Sequence, residues 1–269
     1  MLEKEDFVKT VRRLYPPFYV SIIMEGYHNE RNWSDFLGFN YGIHNLVVTN
    51  GIWYYPKYHV VSFSEKLTKK LFSDSKLFKK IKEETTIREK KLKNVQDMNL
   101  KTFCSSYSNY MPTLGIYFIC DDWIEQKIKE TLLENFSKKQ VEKIINILIV
   151  PYKDNLSRKS QIELIRTKNI HSFIKKYGWM KARYGNIKRY NKNDVKKLLE
   201  KLEKENFEKK YEKDKELKKK TINKVKKVLG VKSYLVDIMQ QFIYYRTHRT
   251  DIMNKIAFEF IPKLKIIAN

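Results

Sequence analysis

Past Ser64 the chain reads as one helix after another. Leu67, Leu71, Leu77, Ile81, Ile87, Leu92 and Val95 recur at mostly helical spacing, which puts them on one side of a helix with the charged residues on the other. Breakers are scarce, with only 8 Gly and 6 Pro in 269 residues. The expectation is a mainly α protein of α+β type, in which a small N-terminal β-hairpin element packs on a multi-helix body.

The expected division is an N-terminal helix plus a small β element over residues 1–63, and a helical domain over 64–269. Phe7, Val8, Val11 and Leu14 predict a short amphipathic helix over Glu3 to Leu14 that Pro16-Pro17 ends. Phe18 to Phe63 is rich in β-branched and aromatic residues, and Asn50-Gly51 between two apolar runs predicts a two-residue hairpin within Leu46 to Tyr55. Helices follow, with Ser64 as a start and Pro112 and Gly115 in a loop after a helix through Thr102 to Tyr110. Further helices run from Asp121-Asp122 to about Asn135, from Ser137 to Val150 and from Ser157 to Lys176. Asn193 is a candidate cap for a Lys-rich arm over residues 192–228, and Gly230 separates that arm from a last helix over Ser233 to Ile261.

Charge narrows the possible partners less than its size suggests. There are 55 Lys+Arg against 31 Asp+Glu, a formal net charge of +24. Only 10 of the basic residues are Arg, beside 19 Asn and 3 Ala, and an AT-rich genome places Lys and Asn at tolerant surface positions whatever their use. Readers of nucleic acid favour Arg where bidentate contacts are needed. A nucleic-acid partner on the Lys-rich arm, which holds 15 Lys against 8 Asp+Glu between Lys192 and Lys227, is therefore the alternative reading and not the leading one. Cys104 and Cys120 have no CxxC or metal-like partner, the amino terminus is charged from its third residue, and no apolar run is long enough to span a bilayer. A cytoplasmic protein without membrane contact is expected.

The most informative stretch is Tyr244-Tyr245-Arg246-Thr247-His248-Arg249-Thr250-Asp251. On a continuous helix Leu235, Met239, Phe242, Arg246, Arg249, Met253, Ile256 and Phe260 share one face. Two arginines thus interrupt an apolar stripe, and each must meet an anion, either a structural carboxylate or a ligand. His171 falls on the inner edge of its expected helix among Ile170, Phe173, Ile174 and Tyr177. The five histidines form no HxxxH or HxxH pair, so no metal site is expected. Signatures of P-loop, dinucleotide-binding, nucleophile-elbow and kinase enzymes are missing.

From Pro151 the order of features is more specific than any single motif. Pro151-Tyr152-Lys153-Asp154-Asn155-Leu156-Ser157 is followed by Glu163-Leu164-Ile165, His171, Tyr177-Gly178-Trp179-Met180, Arg183-Tyr184, Tyr190, the Lys/Glu-rich helix and Tyr244 to Arg249. Over about residues 150–268 this resembles the helical region of proteins related to phosphoenolpyruvate synthase and pyruvate phosphate dikinase. The resemblance implies a substrate-binding-like module whose acceptor, a small and often anionic molecule, receives phosphate from a swivelling phosphohistidine domain charged by an ATP-grasp domain. Three departures stand out: no ATP-grasp signature, no swivelling domain after the last helix, and Tyr177-Gly178-Trp179-Met180 where many relatives have Tyr-Gly-His-Arg.

Together these readings make Arg246, Arg249, His248, His171, Tyr177, Trp179, Arg183 and Tyr184 the candidate substrate-binding residues, with no catalytic residue and no metal ligand. The chain itself is expected to bind no cofactor. ATP or phosphoenolpyruvate is expected to act through a separately encoded phosphohistidine swivelling or ATP-grasp partner. A non-catalytic interaction scaffold is the third possibility.

Overall fold

The computed structural model describes residues 7–9, 17–39, 41, 46–49, 52–182 and 188–268. Three strands, β1 (Phe7–Lys9), β2 (Val47–Thr49) and β3 (Ile52–Pro56), form an antiparallel sheet in the order β1-β3-β2. Thirteen α-helices are described: α1 (Pro17–His28), α2 (Glu30–Leu37), α3 (Lys57–Ser73), α4 (Ser75–Lys91), α5 (Leu100–Asn109), α6 (Met111–Ile119), α7 (Asp121–Leu133), α8 (Lys138–Leu148), α9 (Leu156–Thr167), α10 (Ile170–Tyr177), α11 (Lys192–Lys204), α12 (Phe207–Leu229) and α13 (Tyr234–Ala268). The mainly α reading holds, and β2 and β3 pair as the expected hairpin requires, with Thr49 opposite Ile52; Asn50 and Gly51 themselves lie outside the described residues.

The N-terminal expectations need correction. Phe7–Lys9 is not helical but an edge strand paired with Tyr54–Pro56, and the flanking residues of the expected helix lie outside the described ones. Most of the stretch read as β is helical. In α1, Tyr19, Ile22, Ile23, Gly26 and Tyr27 are all buried, a spacing of three and four that outweighs the β-branched composition. Pro17 opens this helix, as suits a residue with no N–H to leave unpaired. Ser64 is buried within α3, which starts at Lys57, so the expected division at 63/64 falls inside a helix. Pro112 and Gly115 belong to α6; Pro112 sits in its first turn, and Gly115 leaves room for the rings of Trp33 and Tyr27, which come within 2.8 Å of where a Cβ would stand.

The chain forms two compact units, Met1–Trp123 with Glu259–Asn269, and Ile124–Phe258. In the first, Trp33, Phe36, Phe63, Phe103, Tyr107, Tyr117 and Phe260 are buried, and the Phe103 and Phe260 rings stack with 3.6 Å between centroids. Buried Arg88 ties three helices together: it donates to the side chain and carbonyl of Asn32 on α2 and to the carbonyl of Asn109 on α5, and its guanidinium lies 5.0 Å from the Phe36 ring. Among the described residues no helix is long and apolar enough to cross a membrane.

In the second unit, Ser137 and Gln140 close a capping box at the start of α8. The helix expected from Ser157 to Lys176 is two helices, because Lys168 turns left-handed at φ 52° and Asn169 caps a new start. Asn191, not Asn193, caps α11, in a reciprocal box with Asp194. The Lys-rich arm is a helical hairpin, α11 and α12, turned at Asn206 (φ 50°). Leu164, Phe173, Tyr177, Val195 and Leu202 form the core of its base.

Candidate functional site

Helix α13 buries Leu235, Met239, Phe242, Arg249, Met253, Ile256 and Phe260, the stripe predicted from its spacing. Arg246 is the exception: it is exposed. The helix surface at that point is not covered, so one arginine rather than two interrupts the buried stripe.

A second stripe runs beside the first. Tyr244, His248, Asp251, Lys255 and Phe258 follow at steps of four, three, four and three, so they line one face over roughly 21 Å of helix. Tyr244 is buried and the other four are partly buried, the profile of a wetted wall rather than a core. Cations from two loops bracket it: the Lys153 ammonium lies 4.3 Å from the Tyr244 ring centre, and the Arg189 guanidinium 5.2 Å from that of Phe258. Such cation–ring contacts strengthen as water is excluded.

The chemistry of the stripe centres on His248 and Asp251. The His248 imidazole stacks on Tyr244 at 4.7 Å and meets the Tyr245 ring edge-on at 5.5 Å. One turn further, Oδ2 of Asp251 is buried and finds no hydrogen-bond partner among the described residues. Burial pushes the Asp251 carboxyl up to about 6, against the opposing influence of His248. A carboxyl with that affinity for a proton changes charge near neutral pH and accepts a hydroxyl or ammonium donor strongly when ionised.

The other expected residues fare differently. Tyr177 and Trp179 are buried, and their polar ends are satisfied internally: the Tyr177 hydroxyl donates to Glu163 at 2.8 Å, and Trp179 Nε1 to the carbonyl of Lys176 at 3.1 Å. Tyr177 belongs to the core at the base of the arm. His171 is exposed in the first turn of α10, because the break at Lys168 resets the helical phase that placed it inward. Arg183 and Tyr184 lie outside the described residues.

One link between these segments is direct. The 3-10 turn Gly178–Lys181 is joined to the stripe through Arg189: Tyr190 N–H donates to the Gly178 carbonyl at 2.9 Å, Arg189 comes within 3.7 Å of the place a Gly178 Cβ would occupy, and the same arginine covers Phe258. Arg189 thus bridges the Tyr-Gly-Trp motif and α13, whereas His171 and Arg246 are exposed.

A separate polar network joins the loop after α8 to α12. Tyr211 donates to Asp154 at 2.7 Å and accepts from Lys215 at 2.9 Å. Buried Lys218 sits 3.5 Å from the Pro151 carbonyl, and desolvation together with Arg158 lowers its ammonium to about 8. Beside it lies an open groove of about 550 Å³ lined by Tyr152, Glu212, Lys213, Lys215, Glu216 and Lys219. Among the described residues no cluster of His, Cys, Asp and Glu is arranged to hold a metal ion.

Lys153, Arg189, Tyr244, Asp251 and Lys255 were not candidates on sequence grounds. The signal for three of them was present in the four-three-four-three recurrence from Tyr244 to Phe258; for the two loop cations there was none. The chain matches no family model, no curated protein and no solved structure.

Proposed function

We propose that this chain is the helical, substrate-binding-like part of a phosphotransferase system related to phosphoenolpyruvate synthase and pyruvate phosphate dikinase. It holds a small acceptor on the polar stripe of α13. Phosphohistidine and ATP-grasp components outside these 269 residues supply the phosphoryl group from ATP or phosphoenolpyruvate. The observation that carries this reading is the buried Oδ2 of Asp251, without a hydrogen-bond partner among the described residues, on a stripe that also bears His248 and Lys255 and is bracketed by Lys153 and Arg189. Asp251 accepts the acceptor's hydroxyl or amine hydrogen, while Lys153, Lys255 and Arg189 favour the anionic end. The contribution is positioning and electrostatic, with no covalent step on this chain.

The test is ligand-induced stabilisation. The purified chain is melted with and without phosphoenolpyruvate, inorganic phosphate and a panel of polyhydroxylated or amino-bearing acceptors. A ligand at about one hundred times its Kd stabilises by about 2.7 kcal/mol, and D251N and K255Q abolish that gain. Incubation with labelled ATP or phosphoenolpyruvate leaves no phosphohistidine on the chain. A stable phosphohistidine here, or ligand gains indifferent to both substitutions, refutes the proposal.

A further inference from the structure

The Lys-rich hairpin separates its charges in a way composition does not disclose. Tyr211, Lys218, Val225 and Leu229 are the buried positions of α12. The opposite side carries Lys209, Lys213, Glu216, Lys220, Lys224 and Lys227, all exposed and spaced by three or four residues. Half of the hairpin's eight carboxylates are drawn elsewhere: Glu208 and Glu212 pair with Arg166, Glu203 with Lys168 and Asp194 with Lys181, whose cations all lie outside the hairpin. On the outer row the sole acid, Glu216, pairs with Lys220 at 2.7 Å. Lys209, Lys213, Lys224 and Lys227 have no ion pair among the described residues. Like charges one turn apart, such as Lys209 with Lys213 and Lys220 with Lys224, repel each other and weaken a helix that has no counter-charge beside them.

We infer that the outer face of α12 is a nucleic-acid-binding surface that contacts the phosphate backbone through Lys209, Lys213, Lys220, Lys224 and Lys227. The row extends over about 27 Å of helix, a continuous strip of positive charge. Lysine ammonium groups are point charges without the fork that reads base edges, so binding is independent of sequence. An anionic membrane is the poorer match. A helix lying in a lipid interface needs a broad apolar face, and the exposed large apolar residues of α12 are Leu217 and Val228. This surface is distinct from the α13 stripe and does not depend on the proposed acceptor.

The experiment uses the whole chain and fluorescence anisotropy with a labelled single strand and a duplex of the same sequence, alongside phosphatidylcholine–phosphatidylserine vesicles. Release of four to five counterions makes affinity fall by about two orders of magnitude between 50 and 200 mM salt. Changing the five lysines to Gln lowers affinity at least tenfold at low salt, while circular dichroism is unchanged because the substitutions remove repulsion. A control with equal charge loss, Lys79, Lys82, Lys90, Lys91 and Lys93 to Gln, retains affinity within threefold, and so does D251N. The inference is overturned if neither nucleic acid binds at low salt, if the control loses as much as the α12 variant, or if vesicles are bound more tightly than either strand.

Discussion

The imidazole of His248 lies over the ring of Tyr244, one helical turn before it, with 4.7 Å between centroids and 26° between planes. That stack fixes the ring plane of His248 beside Asp251, and Lys153 covers the same Tyr244 ring. The arrangement couples a loop cation, an aromatic ring, an imidazole and a buried carboxyl along one helix face.

Asp251 gives a pH signature. Its carboxyl is pushed up to about 6 in the fold, so between the unfolded value and that one the native state binds the extra proton. Stability from this group is fully present below the unfolded value, near 4, and is lost as pH rises through 6. D251N removes the dependence. Urea denaturation at pH 5 and pH 8 shows wild type losing about 1 kcal/mol more than D251N over that interval. Equal losses in both proteins overturn the assignment.

Glu163 behaves in the opposite sense. Its Oε2 accepts from Lys176 at 2.6 Å and from the Tyr177 hydroxyl at 2.8 Å, and these bonds hold the carboxyl below the usual Glu range. The contribution is present above the unfolded value and lost as pH falls through the lower folded one. A third of the Glu163 side chain is exposed, so solvent screens the pair, and E163Q costs only about 0.5–1 kcal/mol at pH 7. In denaturant unfolding the difference between the two proteins should shrink as pH falls through the acid range.

Arg88 is expected to be the costliest polar residue to replace. Its guanidinium serves Asn32, Asn109 and Glu84 from a buried position, and burial lowers its pKa despite Glu84. R88A leaves several buried acceptors unsatisfied and should cost about 3 kcal/mol. R88K recovers less than half of that, because an ammonium cannot span the same acceptors. Equilibrium unfolding of the three proteins decides it.

Gly26 tests how close α1 lies to α5 and α6. A Cβ there would stand 2.5 Å from the Ser108 carbonyl oxygen and 2.3 Å from Met111 Cγ. One of those neighbours is backbone and cannot swing away, so G26A should destabilise by about 2–3 kcal/mol although alanine is the better helix former. A melting temperature at or above that of wild type would show that the helices are not in this contact.

Periodicity and capping residues by themselves determined that the chain is mainly helical, where α7 and α8 begin and end, and that the strands on either side of Asn50-Gly51 pair with each other. These are local properties, set by hydrogen bonding and burial within a few residues. They also marked α13 as the helix with polar residues out of place, and Arg249 is buried there as its position implies. Tertiary structure decided what local signals cannot. It made α1 helical against its composition, since burial of Tyr19, Ile22 and Ile23 on one face outweighs propensity. It turned His171 outward through one left-handed residue at Lys168, left Arg246 in solvent, and sent Tyr177 and Trp179 into a core. It also brought Lys153 and Arg189 from separate loops onto the two ends of the Tyr244–Phe258 stripe, a relation that depends on contacts between residues far apart in the chain.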